Sequence, residues 1–175
     1  MENVSNFFKF LRDKEGKEPP FKWKLLNDPD SILPEDLEVK GDLWLGYSKI
    51  TSLPEGLKIR GDLWLGYSKI TSLPEGLKVG GNLSLSSSSI ISLPDNLEVG
   101  GSLLLNNTKL KKLPDDLYVE DSLYLDGTKI SSIPNNLYIR RRLHLGNCYL
   151  SQKFSTEEIK KMIEDKGGQV RGVYL

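Results

Sequence analysis

Residues 33–52 read LPEDLEVKGDLWLGYSKITS, and residues 53–72 read LPEGLKIRGDLWLGYSKITS. The same 20-residue unit continues without gaps as LPEGLKVGGNLSLSSSSIIS (73–92), LPDNLEVGGSLLLNNTKLKK (93–112), LPDDLYVEDSLYLDGTKISS (113–132) and IPNNLYIRRRLHLGNCYLSQ (133–152). Residues 41–58 and 61–78 are identical. A fixed period of this length marks a solenoid, in which each unit packs only on its neighbours.

Each unit reads physically. Leu33-Pro34 opens the first; proline fixes φ and lacks an N–H, so it suits a corner and not a sheet interior. Leu37, Val39, Gly41, Leu43 and Leu45 follow at a spacing of two, the period of a strand with one buried face. Glycine at 41, 61, 81 and 101 predicts a bend where backbones approach closely. Ser48, Ser68, Ser88, Thr108 and Thr128 form a column of hydroxyl groups suited to backbone groups left open at a tight turn. Ile50 then returns to the core. One unit alone buries too little apolar surface to offset the entropy of ordering its chain. The units are therefore predicted to stack in register about 4.8 Å apart, as a mainly β, parallel coil stack. A second short strand at Leu37–Val39 would make the coil flattened and two-sheeted.

A coil stack exposes its core at both ends and needs caps. Residues 1–32 are read as the N-terminal cap, on the strength of Phe7, Phe8, Phe10, Leu11, Phe21, Trp23, Leu25 and Leu26. Asn3 or Ser5 is expected to N-cap a helix running to about Glu15, with Gly16 ending it. Residues 33–152 are the six repeats. Residues 153–175 are the C-terminal cap, all within one structural domain. There Ser155-Thr156-Glu157-Glu158 spells a capping box, with a helix to about Lys166 turning Ile159, Met162 and Ile163 inward. Gly167-Gly168 stops it, and Val170–Leu175 is expected to add a final strand.

Charge narrows the function. The chain carries 24 basic and 24 acidic residues. Within 33–152 the counts are 13 and 14. Nucleic-acid binders draw most of their affinity from a basic excess, so none is expected as a partner. No apolar run approaches a membrane span, and the N-terminus lacks the pattern of a signal peptide. Cys148 is the single cysteine, so neither an internal disulfide nor a cysteine metal cluster can form. A cytoplasmic protein is expected. No cofactor motif is present, and no metal or cofactor is expected.

The segment L-x-L-x-x-[ST]-x-[IL]-x-x-[LI]-P resembles the LxLxxNxL core of leucine-rich repeats. Its 20-residue period and LPxxL opening are similar to the short bacterial repeats of type III secretion effectors. The nearest likeness is to short-repeat proteins of phage and prophage genomes, which end in a helix followed by a KGGxVxGxxYL-like tail. Here the end reads EEIKKMIEDKGGQVRGVYL. The likeness covers roughly 33–175 and implies a leucine-rich-repeat-like solenoid with helical caps. It implies little about activity. Two departures stand out. The turn asparagine is Ser or Thr here, and Cys148 in the last repeat. The first leucine of LxxLxL falls on Lys40, Arg60, Gly80, Gly100, Glu120 and Arg140. Only 23 residues follow the repeats, so the effectors' ligase domain is not expected.

If Leu43 and Leu45 point inward, residue 44 points out. Its column reads Trp44, Trp64, Ser84, Leu104, Tyr124, His144, flanked at its start by Tyr47 and Tyr67. Tryptophan and tyrosine are enriched at interface hot spots, which makes this ribbon the candidate contact surface for a protein partner. Adjacent aromatics can also simply stabilise a sheet as cross-strand pairs. Arg140 and Arg142 are expected to point outward as a second, anion-attracting patch, with Arg141 towards the glycine column; a solvated charged face is the plainer alternative. A His144–Cys148 pair would need hydrogen-bond contact and an orienting third group to act as a nucleophile, and no enzyme is expected. The competing reading is a small-ligand binder that holds a nucleotide or glycan between the stacked rings. Under the phage likeness, the partner would be a host protein that the chain antagonises in the producing or infected bacterial cell. Self-association is possible but not predicted.

Overall fold

A computed structural model of the protein describes residues 18–175. The helix expected from Asn3 or Ser5 to Glu15, its stop at Gly16, and Phe7, Phe8, Phe10 and Leu11 lie outside the described residues. The chain divides into two compact units, one ending at Leu37 and one spanning Glu38–Leu175. The first proline corner thus groups with the N-terminal unit and not with the repeats.

In the N-terminal unit, Pro19-Pro20 precedes a short helix, α1 (Phe21–Asn27), followed by 3-10 turns at Pro29–Ser31 and Pro34–Leu37. Its buried residues include a charge: Lys24 donates to Asp36 at 2.9 Å and pairs with Glu18 at 3.0 Å. Burial disfavours the Lys24 ammonium, but these two carboxylates outweigh it and hold its pKa above the ordinary lysine value.

The repeat unit is a parallel β-solenoid. Each coil has two two-residue strands. The first ladder is β1 (Glu38–Val39), β3 (Lys58–Ile59), β5 (Lys78–Val79), β7 (Glu98–Val99) and β9 (Tyr118–Val119). The second is β2 (Leu43–Trp44), β4 (Leu63–Trp64), β6 (Leu83–Ser84), β8 (Leu103–Leu104) and β10 (Leu123–Tyr124). Register is an unbroken step of 20, as Leu43 faces Leu63 and Val79 faces Val99. In the sixth coil both strands fuse into β11 (Tyr138–His144), which joins the ladders into one sheet. The two strand columns anticipated from the sequence are therefore two faces of a single folded sheet.

Stacking in register explains the core. The leucines at 43, 63, 83, 103, 123 and 143 are all buried, as are those at 45 to 145 and the Ile/Leu column at 50 to 150. Glycine sets the bend between the ladders. A Cβ on Gly101 would sit 2.8 Å from the carbonyl carbon of Gly81, so only a bare Cα lets these coils close up. Hydroxyl groups close the next turn as expected: Ser48 and Ser68 each donate to a carbonyl three residues back at 2.6 Å, and Thr128 does so at 2.7 Å. Cys148 ends this column as a buried thiol, 3.5 Å from the Thr128 hydroxyl.

The C-terminal end follows the expected chemistry. Ser155 caps α2 (Thr156–Asp165) through a complete capping box with Glu158. Ile159 and Ile163 are buried. β12 (Gln169–Tyr174) then pairs parallel to β11. Ile139 pairs with Val170 but Arg142 with Gly172, so β11 bulges by one residue at Arg140–Arg141. No helix among the described residues is long and apolar enough to cross a membrane.

Candidate functional site

The outward column forms as the alternation demands, because Leu43 and Leu45 both turn into the core and leave residue 44 outside. Trp44 and Trp64 stack with ring centroids 4.8 Å apart and planes within 6°. Beside them Tyr47 and Tyr67 stack at 4.7 Å and 4°. Trp44 is 56% exposed, Tyr47 80% and Tyr67 57%. Trp64 is more enclosed, and its indole Nε1 is buried with no acceptor.

The two tyrosines sit at a costly backbone position. Their φ angles are 57° and 58°, in the left-handed region. The equivalent turn residues in later coils are Ser87, Asn107, Gly127 and Asn147, all with short side chains or none, and asparagine and glycine are the types that tolerate it best. A left-handed residue with a Cβ costs about 1–2 kcal/mol, whereas one stacked aromatic pair returns about 0.5–1.5 kcal/mol. Two strained tyrosines therefore cost more than their one stack recovers. Stacking alone does not account for them.

Beneath the ribbon runs a polar ladder that holds its pitch. Asp42 Oδ1 accepts from the Asp62 N–H at 2.8 Å, Asp62 Oδ1 from Asn82 N–H at 2.7 Å, and Asn82 Oδ1 from Ser102 N–H at 2.8 Å. Each side chain thus satisfies an amide of the next coil at the bend, where the sheet ladder is interrupted.

The sequence-predicted residues do not form one continuous surface. Ser84 is buried, and Leu104 is half-buried beyond it, so the tryptophans are parted from the lower aromatics. There Tyr124 stacks on His144 at 4.4 Å, and His144 on Tyr174 at 5.1 Å. His144 Nε2 is buried without a partner. Arg142 reaches over the Tyr174 ring, 5.5 Å from its centroid. Arg140 does not join this face. It pairs with Glu120, which also accepts from the Tyr118 hydroxyl. Those contacts hold the Glu120 pKa low and push the Tyr118 phenol up. Arg141 is also exposed, lying 3.6 Å from Asp121, because the bulge breaks simple alternation across the three arginines.

Three features were not singled out from sequence. Tyr118 and Tyr138 stack at 4.8 Å on the first ladder. The column Glu38, Lys58, Lys78, Glu98, Tyr118, Tyr138 was open to the same period-two reading. Tyr174 and Arg171 carried no such signal, since β12 departs from the 20-residue step.

Among the described residues, no group of three or more His, Cys, Asp and Glu side chains is placed to hold a metal ion. The Cys148 thiol bonds to Thr128 and to the Ile130 carbonyl, while the His144 ring is sandwiched between phenols.

Unbroken register, two parallel ladders and a filled interior define the chain as a repeat protein of the parallel β-solenoid class. Compared with known proteins, it matches no protein family, no curated protein and no solved structure.

Proposed function

We propose that the chain is a non-enzymatic interaction module that docks a partner protein on the ribbon formed by Trp44, Trp64, Tyr47 and Tyr67. The observation that carries this reading is the pair of exposed tyrosines held at left-handed positions, where other coils use the shorter serine, asparagine or glycine. Every coil places a left-handed residue at this turn, and a bulky side chain kept at such a strained position is characteristic of functional sites. Large, rigid aromatic groups also supply contact area at low entropic cost.

Ring geometry favours a broad partner over a flat small ligand. The tryptophans lie 4.8 Å apart and parallel, so they fill each other's inner faces and leave no slot between them. They offer ring edges and one outer face to a surface. Under the likeness to phage-type repeats, the partner is a protein of the bacterial host cytoplasm, antagonised or sequestered by the chain.

Affinity purification from a bacterial host with the wild-type chain and with W44A/W64A tests this. The partner should be captured by the wild type and lost in the variant, with the circular dichroism spectrum retained. Equal capture by both would overturn it.

A further inference from the structure

The polar ladder beneath the ribbon changes character at its lower end. Positions 42, 62 and 82 offer carboxylate or amide oxygens to the next coil, but the same column places a guanidinium at Arg142. Its register partner in β12 is Gly172, which carries no side chain. From that direction Arg142 meets only the Tyr174 ring, 5.5 Å away, and a cleft of about 570 Å³ opens beside them. Arg141, Arg142 and Arg171 line it, with Tyr124 and Tyr174 as phenolic walls.

Charge in this cleft is unbalanced, although the chain as a whole is neutral. Asp121, also on the lining, lies 3.6 Å from Arg141 and accepts from the Ser122 hydroxyl at 3.0 Å. That carboxylate is answered by Arg141. Arg142 and Arg171 have no carboxylate partner among the described residues, in contrast to Arg60, Lys78 and Arg140, which are all paired. Two guanidiniums without a carboxylate give a local excess of about two positive charges and up to about ten N–H donors. Planar guanidinium forks match the oxygens of a phosphate group.

We propose that this cleft binds a small phosphate monoester, with Arg142 and Arg171 clasping the dianionic phosphate and Tyr174 flanking the organic group. The charge of a monoester near pH 8, close to minus two, matches the two unpaired arginines. A diester or a carboxylate, each with one negative charge, matches only one of them. The cleft lies within the size range of small-molecule sites. Tyr174 is 47% exposed, so its ring is open to such a group.

Calorimetric titration at pH 8 with phenyl phosphate, diphenyl phosphate and benzoate tests the assignment on the full chain, with amide chemical shifts locating the site. Phenyl phosphate should bind about tenfold more tightly than the two monoanions, and should shift Gly172 and Tyr174. R171A and R142A should each weaken it about tenfold, whereas R60A, on the first ladder, should not. Equal affinity for all three probes would overturn the proposal, as would unchanged binding in R171A or an equal loss in R60A. Trp44 and Trp64 are untouched and no partner protein is used, so a failure here leaves the docking proposal standing.

Discussion

The phenol rings of Tyr47 and Tyr67 lie parallel at 4.7 Å while both backbones are held left-handed, at φ 57° and 58°. The pair opposes stability to surface chemistry. Replacing both with asparagine, as at Asn107 and Asn147, relieves strain and removes the rings. Y47N/Y67N should therefore be more stable by about 1 kcal/mol, raising the melting midpoint by about 2–4 °C. Partner capture should fall in the same variant. A lower midpoint in thermal unfolding would show that stacking outweighs the backbone cost.

Glycines of the bend differ sharply in what a methyl group would meet. A Cβ on Gly100 would lie 3.0 Å from the Gly80 carbonyl carbon and closer still to its oxygen. At Gly41 nothing lies within 4 Å. G100A should cost about 1–3 kcal/mol in urea unfolding, through forced displacement of one coil from the next. G41A should be neutral or stabilising by up to about 1 kcal/mol, since it reduces the freedom of the unfolded chain.

Thr128 tests the hydroxyl column. Its side chain is buried, and it donates to the Leu125 carbonyl at 2.7 Å. T128V keeps the shape but leaves that acceptor without its hydroxyl, and should destabilise by about 1–2 kcal/mol by the same measurement. T128S retains the donor and should lose about half as much or less.

The N-terminal unit should show opposite pH limits. Burial disfavours the Asp36 carboxylate, but the Leu33 N–H and the Lys24 ammonium donate to it and hold its pKa below the ordinary value. A carboxyl lowered on folding stabilises above its unfolded pKa, and that contribution is lost as pH falls through the lower folded value. The raised Lys24 contributes below the unfolded lysine pKa and is lost as pH climbs through the higher folded value. Hydrogen-exchange protection of the Leu33 amide should therefore fall on the acid side in the wild type. In D36N that acid dependence should disappear; its persistence would assign the protection to another group.

Much of this fold is readable along the chain because a solenoid turns sequence period into spatial period. Leu43, Leu63 and Leu83 share a residue type and a 20-residue step, and one coil's environment is the next coil's environment. The hydroxyl turn, the glycine bend and the Ser155 capping box are local chemistry, and each can be inferred from a few neighbouring residues. The stacked Trp44 and Trp64 follow from the same arithmetic.

What resisted reading lies where the period stops or where backbone angles matter. His144 meets Tyr174 across a 30-residue step, set by how α2 returns the chain to β11. The bulge at Arg140–Arg141 parts Arg140, held by Glu120, from Arg142, beside Tyr174. Repetition along the chain determined the coils, their core and the outward ribbon, because identical units can bury the same face only by stacking in step. Tertiary structure alone decided which tyrosines are strained, which arginines are left unpaired and where the cleft opens, because those depend on backbone angles and on contacts between segments that share no period.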